Sequence, residues 1–466
     1  MKPIFKTLLF LSGWAVAGWI FWNMKAPLPA PTEPTAAPEV ASPPAASPYQ
    51  AVFEKWSAKP ELAAALTALV LLDENGQPVF SSALGETALC PASALKILTT
   101  GAALGMLGVE FQFETQLVHR PDGNLALVGS GDPTLTLADL ETLAAEAVQA
   151  GLKEVAGDLV ADASVFTAPP VNDHWNWGDI GNAYGAGAFG LNLEHNRMSV
   201  RFLPGQKLGD PAKFLEGSPV PVGTKWINDV TTGPADSGDG VSIYSTPNGR
   251  VIAMRGTVPL GPSFAVGGAI PDPPAVAVET LRAALKKAGV TFSGKPVPRK
   301  GEAVVLATHR SAPLPEIIDH LHRVSDNLEA QCLFLTLGRR AGKDAASAVR
   351  DHWEKSGVAF DGLRLIDGSG LARANMIRPL DLARVNLAAR HGPHGPRYFQ
   401  SLNPSLGGTV RAKLGSMSGV KTDVGFLRLN NGKELTFALM ANGLDPALSF
   451  WPLRGELLEA LRSATE

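Results

Sequence analysis

Two Asn-Gly turns, one toward each end of the chain, constrain the fold more than any other feature. The apolar run Leu66–Leu72 leads into Asp73-Glu74-Asn75-Gly76 and then Pro78-Val79-Phe80. Near the other end, apolar stretches at 424–429 and 434–441 flank Asn430-Asn431-Gly432-Lys433. Asn-Gly between two apolar runs tolerates the positive backbone angles of a tight hairpin. Val410–Met417 reads as a further strand. Residues 449–463, with Leu453, Leu457, Leu458 and Leu461, read as a closing amphipathic helix. Strands from both ends with helices between them imply one antiparallel sheet covered on its faces, a mixed α/β (α+β) architecture.

The middle of the chain has a different texture. From about 112 to 305 it is made of short strands and turns, such as Gln116-Leu117-Val118, Leu125-Ala126-Leu127-Val128 and Val251-Ile252-Ala253-Met254. Amphipathic helices are expected at 137–150 and 276–288. With 466 residues, 48 glycines and 37 prolines, the chain has room for several turn-rich domains. The middle therefore reads as one or two inserted domains.

Charge excludes one large class of partner. Charged residues make up 18% and the net charge is −3, so nothing advertises nucleic acid. Cys90 and Cys332 are too few for a disulfide scaffold; they form one bridge if they come close, and otherwise two buried thiols. At the N-terminus, Lys2 and Lys6 precede an uncharged apolar run at 7–24, the pattern of an export segment with its lysines left in the cytoplasm. Ala15-Val16-Ala17 has cleavage character, yet cutting there would leave the apolar end Gly18-Trp19-Ile20-Phe21-Trp22. Residues 1–25 are thus a signal sequence or a membrane anchor, with the balance toward an anchor. Residues 26–48 form a Pro/Ala-rich tether that cannot build a core.

The chemistry-bearing stretch is Cys90-Pro91-Ala92-Ser93-Ala94-Leu95-Lys96. Pro91 and Ala92 stand where a helix would begin, which places Ser93 at a helix N-terminus and Lys96 on the same face one turn later. A serine whose proton can pass to a lysine is an activated nucleophile. Alone, the pair is a weak signal. Two more sets follow it. In Ser325-Asp326-Asn327, ahead of an apolar helix, Ser325 can pass a proton to a leaving amine and Asn327 can hold a substrate carbonyl. Asp326 and Glu329 have the spacing of a capping box, and Arg339-Arg340 suit the helix's other end. In Lys413-Leu414-Gly415-Ser416, the lysine can bind a carboxylate and Gly415 lets backbone approach the substrate. The N–H groups of Ser416 and Ser93 can then form an oxyanion hole.

The ordered set S-x-x-K, S-D-N and K-x-G resembles that of penicillin-binding proteins and serine beta-lactamases. The long separation between Ser93 and Ser325 narrows the resemblance to class C low-molecular-mass penicillin-binding proteins, D-alanyl-D-alanine carboxypeptidases and endopeptidases of the periplasm. Gly131-Asp132-Pro133-Thr134-Leu135, Trp175-Asn176-Trp177-Gly178-Asp179 and Asp367-Gly368-Ser369-Gly370-Leu371-Ala372-Arg373 share in it. The resemblance implies a serine beta-lactamase/transpeptidase-like domain at 49–111 and 306–466. It also implies two smaller β-rich inserts, one at 112–200 with 270–305, the other at 201–269. It gives Ser93 the role of acylated nucleophile, Lys96 that of its base, and Ser325 and Asn327 those of proton relay and substrate clamp. Lys413, Gly415 and Ser416 become carboxylate and oxyanion contacts, and Asp179 holds the amine end of the stem-peptide side chain. Peptidoglycan stem peptides and beta-lactam antibiotics are the implied ligands, with the inner membrane contacted through the N-terminal segment. No metal or organic cofactor is expected, and the oligomeric state is left open.

One departure stands out. The family expects Lys-Thr-Gly, and this chain has Lys413-Leu414-Gly415. Losing a hydroxyl that bonds a charged carboxylate costs about 1.5–3 kcal/mol, roughly ten- to more than a hundred-fold in rate or binding. A catalytically weak or inactive relative, anchored and binding peptidoglycan or a partner, is therefore the alternative. A beta-lactamase or esterase on the same domain fits less well, since no deacylating glutamate is identifiable. His320 and His322 are two apart on a helix and point to different faces, and His391 and His394 lack a third ligand, which argues against zinc.

Overall fold

The computed structural model describes residues 47–295 and 301–464. The expected export segment and the tether as far as residue 46 lie outside the described residues. Among the described residues no helix is long and apolar enough to cross a membrane.

Both hairpins form, and both belong to one six-stranded sheet. Its order is Asn403–Ser405, Val410–Met417, Val420–Arg428, Glu434–Asn442, Leu66–Leu72 and Pro78–Ser81, antiparallel throughout. Leu66 lies opposite Asn442 and Leu72 opposite Thr436 without a slip, so the first long strand pairs with the last. The register follows from side-chain alternation, because a one-residue shift would exchange the two faces. Here both faces are apolar and both are covered. Ala68, Val70, Val424, Phe426, Ala438 and Met440 pack against the helices Lys96–Leu107 and Pro379–His391. Leu69, Leu71, Phe437 and Leu439 pack against Pro48–Ser57 and Phe450–Ser463. Trp56 Nε1 donates to the carbonyl of Leu453 at 2.8 Å, joining those two terminal helices.

The middle of the chain builds separate small sheets. Val304–Arg310, Glu114–His119, Leu125–Val128 and Leu159–Asp162 make a four-stranded one, with the helices Leu137–Gln149 and Pro273–Lys287 contributing to the same core. Thr136 and Asp139 form a reciprocal cap at the first of these helices. Two three-stranded sheets follow, centred on Arg197–Leu203 and Val251–Pro259. The return from the middle runs through Val304–Arg310, which is hydrogen-bonded to Glu114–His119. Cys90 and Cys332 are both free and buried, in different apolar clusters.

The expected helix start at Pro91 is corrected. Ala92–Leu95 is a tight 3₁₀ turn, and the α-helix begins at Lys96. Ala92 has φ +46°, an angle that L-residues hold only when their surroundings enforce it. Those surroundings include Gly370 and Gly415, which press against the turn.

Candidate active site

Two glycines allow the Ser93 turn to exist. A Cβ on Gly370 would fall 1.9 Å from the carbonyl oxygen of Ala92. One on Gly415 would fall 2.6 Å from the carbonyl oxygen of Pro91 and 2.8 Å from the N of Ala94. Gly415 thus lets the strand Val410–Met417 press against the serine turn. Beside the role toward substrate expected of it, Gly415 has one toward the backbone of the Ser93 turn.

One residue past that turn, Lys96 is fully buried. Its Nζ lies 2.9 Å from Ser93 Oγ, 2.6 Å from Asn327 Oδ1 and 2.6 Å from the carbonyl oxygen of Ser369. The Asn327 amide is oriented by its own Nδ2, which donates to the carbonyl of Tyr184 at 2.8 Å. Two of the three partners of Lys96 therefore only accept. A neutral amine has two N–H bonds and one lone pair, so giving its hydrogens to those two oxygens leaves the lone pair facing the Ser93 hydroxyl. Burial pushes the Lys96 pKa down to about 7, against the opposing pull of the Asp367 and Asp326 carboxylates. The arrangement can accept a proton near neutral pH.

Ser325 and Lys413 form a second pair. Ser325 ends the helix Leu314–Val324 in a left-handed conformation, and Asp326 begins the next, Asn327–Ala341, by accepting from the N–H of Glu329 at 2.9 Å. The reciprocal half of the expected capping box does not form, because the Glu329 carboxylate is drawn to His320 instead. Lys413 Nζ lies 3.0 Å from Ser325 Oγ and donates to its neighbour's carbonyl, that of Leu414, at 2.7 Å. Burial, reinforced by the Lys96 charge, holds Lys413 well below the usual lysine range, with Asp423 pulling the other way. Asp423 is itself engaged by Arg454.

A cleft of about 590 Å³ gathers Ser93, Ser325, Asn327, Lys413, Ser416 and Asp179, with Leu414 on its wall. Lys96 and Gly415 lie beneath it, buried. Ser416 Oγ accepts from Lys421. Asp179 accepts from the Tyr184 hydroxyl at 3.0 Å, and burial together with Asp179 pushes that phenol up to about 12.

Sequence reasoning missed the supports below the cleft. Asp367 is fully buried and accepts from Trp175 Nε1 (2.7 Å) and from the N–H groups of Ser369, Gly370 and Ala372. It thereby fixes the loop whose carbonyl receives Lys96. Trp175 is thus more than core filling, whereas Trp177 is exposed and stacks on Tyr244. His322 is buried between Thr100 and Ser401, at 3.0 and 2.9 Å. Burial, then Lys413 and Lys96, push it down to about 3, so it stays neutral. Buried polar partners drawn from distant loops leave no spacing to read; the only signal was the run Asp367–Arg373 itself. Among the described residues, His195, His320 and Glu329 come within metal-ligating distance of one another, and none of them lines the cleft.

Comparison with known proteins agrees with this geometry. The profile of the D-Ala-D-Ala carboxypeptidase 3 (S13) family matches residues 49–449. The chain is 30% identical to the D-alanyl-D-alanine carboxypeptidase DacB of Haemophilus influenzae, covering 79% of this chain and 84% of that one. It is 32% identical to the D-alanyl-D-alanine carboxypeptidase of Actinomadura sp. (strain R39), over 82% and 79%. The crystal structure of penicillin binding protein 4 from Haemophilus influenzae superposes with a TM-score of 0.73 at 24% identity, covering 89% of this chain and 98% of that one. The order of motifs, the fold that brings them to one cleft and the profile match agree: this chain belongs to the S13 family of D-Ala-D-Ala carboxypeptidases.

Proposed function

We propose that the chain is a serine DD-peptidase that cleaves peptidoglycan stem peptides, as carboxypeptidase, endopeptidase or both, through an acyl-enzyme on Ser93. The observation that carries the residue assignment is the buried Lys96 Nζ lying 2.9 Å from Ser93 Oγ while its two other partners are acceptor oxygens. Ser93 gives its proton to Lys96 as Oγ attacks the D-Ala–D-Ala carbonyl. The backbone N–H groups of Ser93 and Ser416 receive the developing oxyanion. The proton taken by Lys96 passes through the Ser325 hydroxyl, backed by Lys413, to the departing amine as the C–N bond breaks. This returns Lys96 to its neutral form and Ser325 to its hydroxyl, while Asn327 holds the acyl chain. Water then attacks the ester, its proton returning through Lys96 to Ser93 Oγ. Asp179 and Tyr184 receive the amine end of the stem-peptide side chain.

Beta-lactams acylate the same serine and stay. The substrate puts the enzyme outside the cytoplasm; we place it in the periplasm, held to the inner membrane by 7–24. We place the inserts at 112–200 with 270–305 and at 201–269; the pairing of Val304–Arg310 with Glu114–His119 supports a return of the chain near this point.

The second reading, a weak or inactive binding module, rests on Leu414 at the cleft wall. Incubating the soluble protein with labelled penicillin and locating the adduct by mass spectrometry separates the two. A covalent adduct on Ser93 is expected. A folded sample that gives none after long incubation makes the binding module the better account.

A further inference from the structure

We propose that His195, His320 and Glu329 form a zinc-binding site that ties both helices flanking Ser325 to the inserted part of the chain. The three side chains come from different elements. His195 sits in a turn just before the strand Arg197–Leu203, His320 on the helix Leu314–Val324, and Glu329 on the helix Asn327–Ala341. Their ligating atoms all lie within 4.8 Å of one another. His320 Nδ1 is 2.8 Å from Glu329 Oε1, and His195 Nδ1 is 3.8 Å from the same oxygen. Ligand atoms around a tetrahedral zinc with bonds of about 2.0–2.1 Å stand roughly 3.3 Å apart, between those two spacings. Two imidazoles and one carboxylate are a recurrent zinc donor set, with water as the usual fourth ligand.

The second observation is the hydrogen-bond account. Glu329 is 1% exposed, and its Oε2 has no hydrogen-bond partner among the described residues. His195 Nδ1 is likewise buried and unpaired. Its distance of 3.6 Å from Asp326 Oδ2 is too long for a hydrogen bond. Buried polar atoms without partners are rare, and one ion bound between Glu329 and His195 accounts for both of these. Charge points the same way. Asp326 and Glu329 are two buried carboxylates, and among the described residues the lysine or arginine paired with them is Arg197, 2.6 Å from Asp326. Both imidazoles are part-exposed, at 28% and 33%, which leaves a path for an ion. His322, two positions from His320 in sequence, faces the other way, onto Thr100 and Ser401. The partner of His320 is His195, far upstream, and only the fold brings the two together.

The test uses the full-length protein, stripped with chelator, dialysed against zinc chloride and assayed for bound metal. One equivalent is expected in the wild type and in His174→Asn, a control for adventitious binding at an exposed histidine. His195→Asn and His320→Asn should each lose it. Should those variants unfold, wild-type protein loaded with cobalt gives an independent reading. Intense visible bands of a tetrahedral ion, with a metal shell of two imidazoles and oxygen by X-ray absorption, are expected. No tightly held metal in the wild type, full retention in a folded His195→Asn, or an octahedral cobalt spectrum would overturn the site. The cluster would then be a proton-bridged His–carboxylate group. None of these readings depends on peptidase activity, so the site can fail without touching the functional assignment.

Discussion

The cleft holds two serine–lysine pairs that look alike and are built differently. In each, a buried Nζ lies about a hydrogen bond from a serine Oγ and bonds a backbone carbonyl. The first pair lies on one short stretch of chain, with Ser93 in a strained turn and Lys96 opening the helix after it. Asn327 supplies a third partner to Lys96, and two carboxylates, Asp367 and Asp326, oppose the loss of its charge. In the second pair, Ser325 from a helix junction meets Lys413 from a strand, and the nearby carboxylate Asp423 is already engaged by Arg454. Burial depresses both lysines. Only the first is given two acceptors that consume its hydrogens and aim its lone pair at a hydroxyl. Whether an amine can take a serine's proton therefore depends on how its other valences are occupied, more than on its standing beside a serine.

The largest expected effect separates the two serines. Ser93→Ala should abolish penicillin adduct formation and lower peptidase turnover about 10⁴-fold or more. Ser325→Ala should still form the adduct on Ser93, more slowly, and an adduct on Ser325 in Ser93→Ala would reverse the assignment. Next comes the pH profile of acylation. Below a pKa of about 7 Lys96 carries a proton and has no lone pair to offer, so the rate should fall about tenfold per pH unit on the acid side and level off above. Lys96→Arg, charged at every accessible pH, should be lower by roughly 10²–10⁴-fold with no such inflection. An unchanged inflection in that variant would move the base elsewhere.

Leu414→Thr tests the second pair's surroundings. It should raise kcat/KM on a peptide ending in free D-Ala by about ten- to a hundred-fold. A peptide with an amidated end should gain little, and an equal gain on both would mean that the hydroxyl does not meet the carboxylate. The smallest effect concerns packing. Gly415→Ala forces a Cβ against the backbone of Pro91 and Ala94. It should cost about 1–3 kcal/mol of stability, seen as a lower midpoint in thermal unfolding, with slower acylation. An unaltered midpoint would show that strand and turn are free to move apart.

The same contrast explains what could be read from sequence. The contact of Ser93 with Lys96 was legible because the two are three positions apart on one short stretch, a spacing that a single helical turn, 3₁₀ or α, brings to one face. The hairpins were legible because Asn75-Gly76 and Asn431-Gly432 carry their turn chemistry locally. Asp367 and His322 were not. Their meaning lies in what they touch: Trp175 and the backbone of Ser369 for one, Thr100 and Ser401 for the other. The start of the nucleophile helix was misjudged for a related reason. Pro91 does favour a helical start, but close approach of Gly370 and Gly415 tightens the turn and delays the α-helix to Lys96. Glu329 was assigned to a cap from spacing, and His320, a contact across two helices, took it instead.

The pairing of Leu66–Leu72 with Glu434–Asn442 has a consequence for how the molecule comes into being. A ribosome delivers the first of these strands long before the second, so an apolar ribbon with an unsatisfied edge must wait for nearly the whole chain. Contacts this distant along the chain slow folding, because a large loop must close before they reward it. The catalytic sheet is then among the last parts of the newborn protein to be completed. A circular permutant that makes the two strands neighbours should refold faster while keeping the same cleft.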